Sequence, residues 1–571
     1  MRINKNYFIT SHIAYILNRY GAEDAVISPG SRNIPLISAL VRNPGIRCRS
    51  VIDERANAFF GLGLAKATGK PVIITCTSGT AVAEFFPAVI EAFKTTQPLI
   101  ILSADRPNYL RSSGANQTIN QENIYGNYVL SFTDTEVYSV EFSLSSLEKF
   151  FSDLILEIHN PLRMRSGPVH INLQFEKPLE PDTFDYETDF EENQVKDFID
   201  NYIAYLKAEE YDNGRSSELI ETQFFFAGIS YKNSDKEKEL IKSLLSKEIA
   251  VSADIGSPAR TIAHNHIAEF TEIILDHYPD LANEVSSVCQ LNSAPVNIKT
   301  LALVEESDTL QLINDKGQNL SPLKIPHSIF DFNNNFVFRL SESRGLAGVI
   351  TEADKVVRET LSDFLNDPVN SSELTFYQKL ISGISQGESL FTGNSLTVRD
   401  INKFISFRGK DIRVYLNRGV SGIDGLIATS SGIAEAEKKP VILILGDLSF
   451  YYDLNSLYLL KERNIPLKIV IVNNRGGEIF EYLPVRNVDD IFGEYVRTKP
   501  DFNFRAMTEA FGIPHFAFDS DSDHDLNSAL VHDQSGPAVF ELNIQREKSA
   551  AVRKNLRALL GEKLAPLRHK L

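Results

Sequence analysis

The chain has 571 residues, 43% of them hydrophobic and 23% charged, with a net charge of -17. A typical domain has roughly 100 to 200 residues, so this length predicts three or four folded domains, and the ordinary apolar and charged balance excludes a disordered, collagen-like or coiled-coil chain. The acidic balance and the lack of a basic run argue against a nucleic-acid partner.

Asn4 to Tyr20 places Ile9, Ile13, Ile16, Leu17 and Tyr20 on one helical face, which reads as a helix of a folded domain and not as a signal peptide. No stretch approaches the roughly 18 apolar residues of a bilayer span, so no membrane association is expected. Cys48, Cys76 and Cys289 are widely spaced and match neither a zinc pattern nor a disulfide framework, which points to a reducing, cytoplasmic setting.

Short β-branched runs then alternate with helical patterns: Asp24 to Ser28, Arg49 to Ile52, Val72 to Cys76, Pro98 to Ser103 and Val169 to Leu173 are expected strands. That rhythm indicates a parallel sheet with crossover helices. An acidic stretch from Asp182 to Asp212 reads as a linker. A second α/β region starts at Phe224 to Ala227, with another strand at Ile249 to Ser252. A third carries strands at Val414 to Asn417, Val441 to Leu445, Lys468 to Val472 and Ala538 to Leu542. The expected organisation is α/β, three domains with parallel sheets flanked by helices. They are an N-terminal domain over 1–182, a linker over 183–212, a central α/β domain over 213–352 and a C-terminal domain over 353–571.

Two polar clusters fall at the C-terminal ends of expected strands in the third region, where ligands of open parallel sheets bind: Gly446-Asp447-Leu448-Ser449 and Asn473-Asn474. An Asp carboxylate and an Asn amide oxygen together are hard ligands suited to octahedral Mg²⁺, and Gly446 lets the backbone approach a diphosphate. Taken singly, each cluster is also ordinary turn chemistry. In the first region Asp53-Glu54-Arg55 follows a strand and opens the helical run Ala56 to Ala67, which alone reads as a charged helix start. Gly61-Leu62-Gly63 lies inside that run and lacks a third glycine, so a dinucleotide motif is rejected. Thr77-Ser78-Gly79-Thr80 forms a strand-to-helix turn with donors at a helix start.

The Gly-Asp and Asn-Asn pair, separated by a helix and a strand, resembles the signature of thiamine-diphosphate-dependent enzymes, with Leu448 in place of the usual second glycine. Further blocks are similar to the menaquinone-pathway members of that superfamily. They are Ser28-Pro29-Gly30-Ser31-Arg32, Asp53-Glu54-Arg55, Thr77 to Ala81, Ala104-Asp105-Arg106-Pro107, Gly114-Ala115-Asn116-Gln117, Gly393-Asn394-Ser395-Leu396 with Arg399, Asn417-Arg418-Gly419, Ser421 to Gly425, and Gly476-Gly477-Glu478-Ile479-Phe480. The resemblance covers both outer domains; the central one departs most.

By that resemblance the N-terminal domain binds the pyrimidine of thiamine diphosphate, and the C-terminal domain binds its diphosphate with Mg²⁺, for which Mn²⁺ can substitute. Asp447, Asn474 and the Gly476 carbonyl would hold the metal. Glu54 would contact the aminopyrimidine nitrogen, Ile423 would wedge the cofactor into its bent form, and Ile479 and Phe480 would line the pocket. Ser31, Gln117, Ser395, Gly446 and Ser449 are further cofactor contacts.

The substrates the resemblance implies are the dicarboxylates 2-oxoglutarate and isochorismate. Decarboxylation of the first and 1,4-addition of the resulting carbanion to the second is a transferase-type carboligation. Arg32, Arg106, Arg399 and Arg418 suit such ligands, because forked guanidinium groups hold carboxylates with paired charge-assisted hydrogen bonds. Lys299 is the candidate substrate lysine. A homodimer or homotetramer with sites at subunit interfaces is implied as well. Two alternatives stay open: another thiamine-dependent 2-oxoacid decarboxylase or carboligase, and a non-catalytic scaffold of the same fold.

Overall fold

The structure is a computed structural model that describes residues 2–208, 217–232, 235–315, 327–332, 334–340, 344–520 and 536–570. The chain divides into two compact units. One comprises Met1–Asp212, Asn417–Lys438 and Tyr452–Ile465; the other comprises Asn213–Leu416, Lys439–Tyr451 and Pro466–Leu571.

The first unit is built on a six-stranded sheet that runs Arg47–Ser50, Asp24–Ile27, Val72–Cys76, Leu99–Asp105, Val169–Gln174, Phe132–Glu136 from edge to edge. Every pairing is parallel. The three strands Val72–Cys76, Leu99–Asp105 and Val169–Gln174 are buried along their whole length, as expected of strands covered on both faces. The edge strand lies two residues earlier than the apolar pattern predicts, at Arg47–Ser50 instead of Arg49 to Ile52. Its register is held by charge: Arg47 and Arg49 both reach Asp24 on the neighbouring strand, at 2.8 and 2.7 Å.

The acidic stretch expected as a linker is a helix, Glu192–Ala208. Val195, Ile199, Ile203 and Leu206 enter the core of the first unit, while the acidic residues that suggested a linker, Glu187, Asp189 and Glu191, lie ahead of the helix and Glu192 opens it. Residues 209–212, the end of that expected linker, lie outside the described residues.

Two helices of this unit pack backbone to backbone. A side-chain carbon on Gly63, in helix Glu54–Thr68, would lie 2.0 Å from the Thr429 carbonyl oxygen in helix Leu426–Glu437, and one on Gly432 would lie 2.2 Å from the Phe60 carbonyl. Of the two glycines rejected as a nucleotide motif, Gly63 therefore serves helix packing, and Gly61 lets the helix settle on Ile74 of the sheet.

The second unit holds two further six-stranded sheets, again all parallel. One runs Ile267–Ala268, Val251–Ala253, Phe224–Ala227, Ser287–Leu291, Thr309–Asn314, His327–Asp331; the other runs Arg413–Tyr415, Ser389–Thr392, Val441–Gly446, Leu467–Asn473, Ala538–Asn543, His515–Asp519. One continuous apolar core joins them, from Phe224 and Leu312 through Val357 to Ile444, Phe540 and Leu560. The expected boundary between residues 352 and 353 falls inside a helix, Arg344–Asn366, whose Ile350, Ala353, Val357 and Leu361 belong to that shared core. Helical spacing of apolar residues carries the chain across the boundary without a break. Among the described residues, no helix is long and apolar enough to cross a membrane.

Candidate functional site

In the second unit the candidate residues gather at the C-terminal end of the third sheet. Strands Val441–Gly446 and Leu467–Asn473 are parallel neighbours with Gly446 opposite Val472, so the Gly-Asp and Asn-Asn turns leave the sheet side by side. Asp447 is 3% exposed; its carboxylate accepts the backbone N–H of Gly476 at 2.8 Å and of Leu448 at 2.7 Å. Burial pushes this carboxyl up to about 6, against the opposing pull of those N–H donors.

Asn474 is also buried, and its side-chain oxygen has no hydrogen-bond donor. Its carbonyl accepts from Arg546 at 3.0 Å. An orphaned buried acceptor beside a buried carboxylate is costly unless a cation or donor completes it. The neighbouring turn is crowded: Gly476 has φ +115, and a side-chain carbon there would meet the Thr498 carbonyl oxygen at 1.9 Å. At Gly446, by contrast, a side-chain carbon would meet no atom within 4 Å, so open space adjoins the backbone. The donor set therefore fits a hard cation with a diphosphate beside it. Among the described residues there is no group of three His, Cys, Asp or Glu that could hold a metal, so a mixed set of carboxylate, amide and carbonyl oxygens is what this end of the sheet offers.

The Gly393-Asn394-Ser395 turn joins the same sheet end through Gly393 N–H, which donates to the Ile444 carbonyl at 2.7 Å. Ser395 adopts φ +68, and the exposed Arg399 donates to its carbonyl at 2.6 Å. Ser449 is buried in the short helix Asp447–Tyr452. Ile479 and Phe480 are half-buried on the 3-10 turn Glu478–Tyr482. Leu448, the departure from the family glycine, lines a cleft of about 660 Å³ with Tyr451, Thr498 and Phe502. Lys299 is exposed on the first turn of helix Ile298–Glu306 in the central region.

In the first unit Glu54 is the first residue of its helix, which Asp53 caps by accepting the Ala56 N–H at 3.0 Å. Burial raises the Glu54 carboxyl, and the negative charges of Asp53 and Glu84 raise it further. The Arg32 block is fastened by Ser28, whose hydroxyl donates to the Val51 carbonyl at 2.9 Å and accepts from Asn57 at 3.0 Å; Ser31 is exposed. Arg32 donates to the Phe175 carbonyl at 2.8 Å. It is held below the ordinary arginine value by burial and then by the positive charge of Arg106. Arg106 donates to the Ser78 hydroxyl and the Gln117 carbonyl. The negative charge of Asp105 opposes the repulsion between Arg32 and Arg106, so the two guanidinium groups share their surroundings with a buried carboxylate. Arg418 and Ile423 are half-buried in the segment that precedes helix Leu426–Glu437.

The Thr77 to Thr80 turn is weaker as an anion site than its position suggests, since the Gly79 N–H already donates to Gln121 Oε1 at 2.9 Å. Gln121, fully buried, also bonds Asn172 at 2.8 Å, and Asn172 bonds Asp105 and Asp134. Arg111 completes that network. Sequence reasoning missed this support because its members are scattered and each alone looks like a surface polar residue. The only local signal is a polar residue at an inward position of a strand, as at Asn172.

The chain matches the thiamine pyrophosphate enzyme N-terminal TPP binding domain over residues 9–124 and the C-terminal TPP binding domain over residues 400–542. A solved structure titled as benzoylformate decarboxylase from Polynucleobacter necessarius is similar with a TM-score of 0.63, at 14% identity, covering 95% of this chain and 99% of that one. Fold and sequence together define a thiamine-diphosphate-dependent enzyme. Proteins named 2-succinyl-5-enolpyruvyl-6-hydroxy-3-cyclohexene-1-carboxylate synthase are similar over nearly the whole chain. The one from Chlorobium phaeobacteroides is 33% identical over 95% of this chain and 96% of that protein, and the one from Bacillus pumilus is 30% identical over 96% and 97%. The chain belongs to this synthase family.

Proposed function

We propose that this enzyme decarboxylates 2-oxoglutarate and adds the four-carbon unit to isochorismate in a 1,4 sense, giving 2-succinyl-5-enolpyruvyl-6-hydroxy-3-cyclohexene-1-carboxylate for menaquinone biosynthesis. The observation that carries the reading is the likeness to synthases named for that product over nearly the whole chain, with the forked guanidinium groups of Arg32 and Arg106 available for dicarboxylates.

Thiamine diphosphate, when bound, supplies the nucleophilic carbon and the electron sink for this chemistry. The side-chain oxygens of Asp447 and Asn474 and the Gly476 carbonyl would hold Mg²⁺, or Mn²⁺ in its place, with Gly446 and Ser449 beside the diphosphate. Glu54 would face the aminopyrimidine nitrogen and would give and take its proton there, a task suited to a carboxyl that burial makes easier to protonate. Ile423, Ile479 and Phe480 supply the apolar walls, and Ser31, Gln117 and Ser395 the polar contacts. Arg32, Arg106, Arg399, Arg418 and Lys299 orient the substrate carboxylates, which converts a bimolecular encounter into a positioned one. The enzyme works as a homodimer or homotetramer with sites at subunit interfaces, in the cytoplasm.

The test is to supply thiamine diphosphate, Mg²⁺ and isochorismate and to follow isochorismate absorbance with 2-oxoglutarate or pyruvate as donor. Loss with 2-oxoglutarate alone is expected. Release of CO₂ from either oxoacid with isochorismate untouched would transfer the reading to another thiamine-dependent decarboxylase, and no reaction with either donor would favour a non-catalytic scaffold.

A further inference from the structure

The segment that carries Arg418 and Ile423 is held at both ends by buried carboxylates that belong to no motif. At its start, Glu91 accepts the backbone N–H of Gly419 at 3.0 Å and of Val420 at 2.9 Å, one on each oxygen. At its end, Asp453 accepts the N–H groups of Ile427 and Ala428 at 2.8 and 3.0 Å, in the first turn of helix Leu426–Glu437. Glu91 is 2% exposed and Asp453 0%.

Each carboxylate faces a cation from one and the same helix, Glu54–Thr68. Lys66 Nζ stands 3.7 Å from Glu91, and the Arg55 guanidinium stands 3.8 Å from Asp453. Arg55 also donates to the Tyr452 carbonyl at 3.0 Å, and Ser456 donates to Asp453 at 2.9 Å. Between the two anchors the segment is pressed onto the helix, because a side-chain carbon on Gly425 would lie 2.0 Å from the Phe59 ring. All of these residues lie in one unit.

Burying a carboxylate and an ammonium is expensive, and well-packed apolar residues stabilise a fold at least as well. What charged acceptors add is direction: each fixes two N–H groups at set positions, which apolar contacts do not do. We propose that Glu91 and Asp453 are positioning residues that hold the segment from Arg418 to Gly425 in register with Glu54, with Lys66 and Arg55 as their counter-ions. The helix that presents Glu54 thereby also sets where Arg418 and Ile423 stand. This inference rests on the roles proposed above for those three residues.

The test reads backbone amide hydrogen exchange and kinetics on the full-length holoenzyme. In Glu91→Gln one of the two acceptor oxygens is lost, so exchange at Gly419 or Val420 should quicken at least tenfold, with Ile427 and Ala428 unchanged; Asp453→Ala, which removes the single oxygen that accepts from both Ile427 and Ala428, should show the converse. Turnover falls about tenfold in each, and the affinity for thiamine diphosphate falls with it. Lys66→Met/Glu91→Gln separates positioning from stability: removal of both buried charges should restore the unfolding midpoint and leave turnover low. Gly419→Ala, whose new carbon would lie 2.8 Å from the Glu91 carboxylate, should match Glu91→Gln, and the pair should be non-additive.

Recovery of turnover along with stability in the double variant would overturn the proposal, as would a turnover loss without faster exchange. If wild-type protein fails to consume isochorismate, the proposed function fails instead. The exchange pattern and thiamine diphosphate affinity of the variants still decide the positioning role.

Discussion

Asp447 Oδ2 accepts the Gly476 N–H at 2.8 Å, tying together two turns that are 29 residues apart in the chain. They leave adjacent parallel strands, and the acceptor oxygen of Asn474 that lacks a donor lies next to Gly476 in the second of them. Asp447→Ala should abolish Mg²⁺-dependent binding of thiamine diphosphate, a loss of about a hundredfold or more by calorimetric titration on the scale of a charged metal ligand removed. Unchanged affinity would refute the metal assignment.

Gly476→Ala tests the turn and not the ligand. The backbone there sits at φ +115, and the new carbon would collide with the Thr498 carbonyl, so the turn must open. Backbone strain of about 1 to 3 kcal/mol is expected, read as a lower urea midpoint with the slope unchanged, together with weakened cofactor binding. Wild-type stability and affinity would mean that the turn relaxes freely.

Glu54→Gln keeps the shape of the helix start and removes the exchangeable carboxyl proton. Thiamine diphosphate affinity should persist while kcat falls by about 10² to 10⁴, the usual worth of a positioned acid or base. Near wild-type turnover would remove the proton-transfer role.

Arg32→Lys keeps the charge and loses the fork. Loss of one or two charge-assisted hydrogen bonds, each worth about 1.5 to 3 kcal/mol, should raise KM for a dicarboxylate substrate by roughly ten- to hundredfold. An unchanged KM would place the substrate elsewhere.

Glu237, buried in the central region beside Ser230 and Asn292, is pushed by burial from 4.5 up to about 7. Its folded-state value lies above the unfolded one, so its contribution to stability is complete below pH 4.5 and is lost as pH rises through 7. Glu237→Gln should therefore flatten the fall in unfolding free energy across that window. A curve parallel to wild type, measured by urea titration at several pH values, would show that Glu237 ionises without penalty.

The outer sheets were legible because their strands are short apolar runs bounded by turn residues, and a parallel sheet buried on both faces writes that pattern directly into sequence. Val441–Gly446 and Leu467–Asn473 were found within a residue for this reason. The helix Glu192–Ala208 was not, because its buried positions recur only every three or four residues and an acidic run, Glu187 to Glu192, leads into it. The break expected at 352/353 falls inside a continuous helix whose apolar positions belong to a shared core.

The family blocks single out Glu54, Asp447, Asn474 and the arginines as candidates, since each sits in a short run with its own turn chemistry. Glu91, Lys66, Asp453 and Gln121 left no such mark: the first two are lone polar residues in apolar helices and the other two lie outside helix and strand, and such positions read as solvated until their partners are known. Local sequence thus determined the α/β class and which acid, amide and guanidinium groups stand at or near the strand ends. Tertiary structure alone decided which buried charges meet and which backbone amides they hold. Such contacts join residues hundreds of positions apart, and their energy depends on distance and burial that no local pattern encodes.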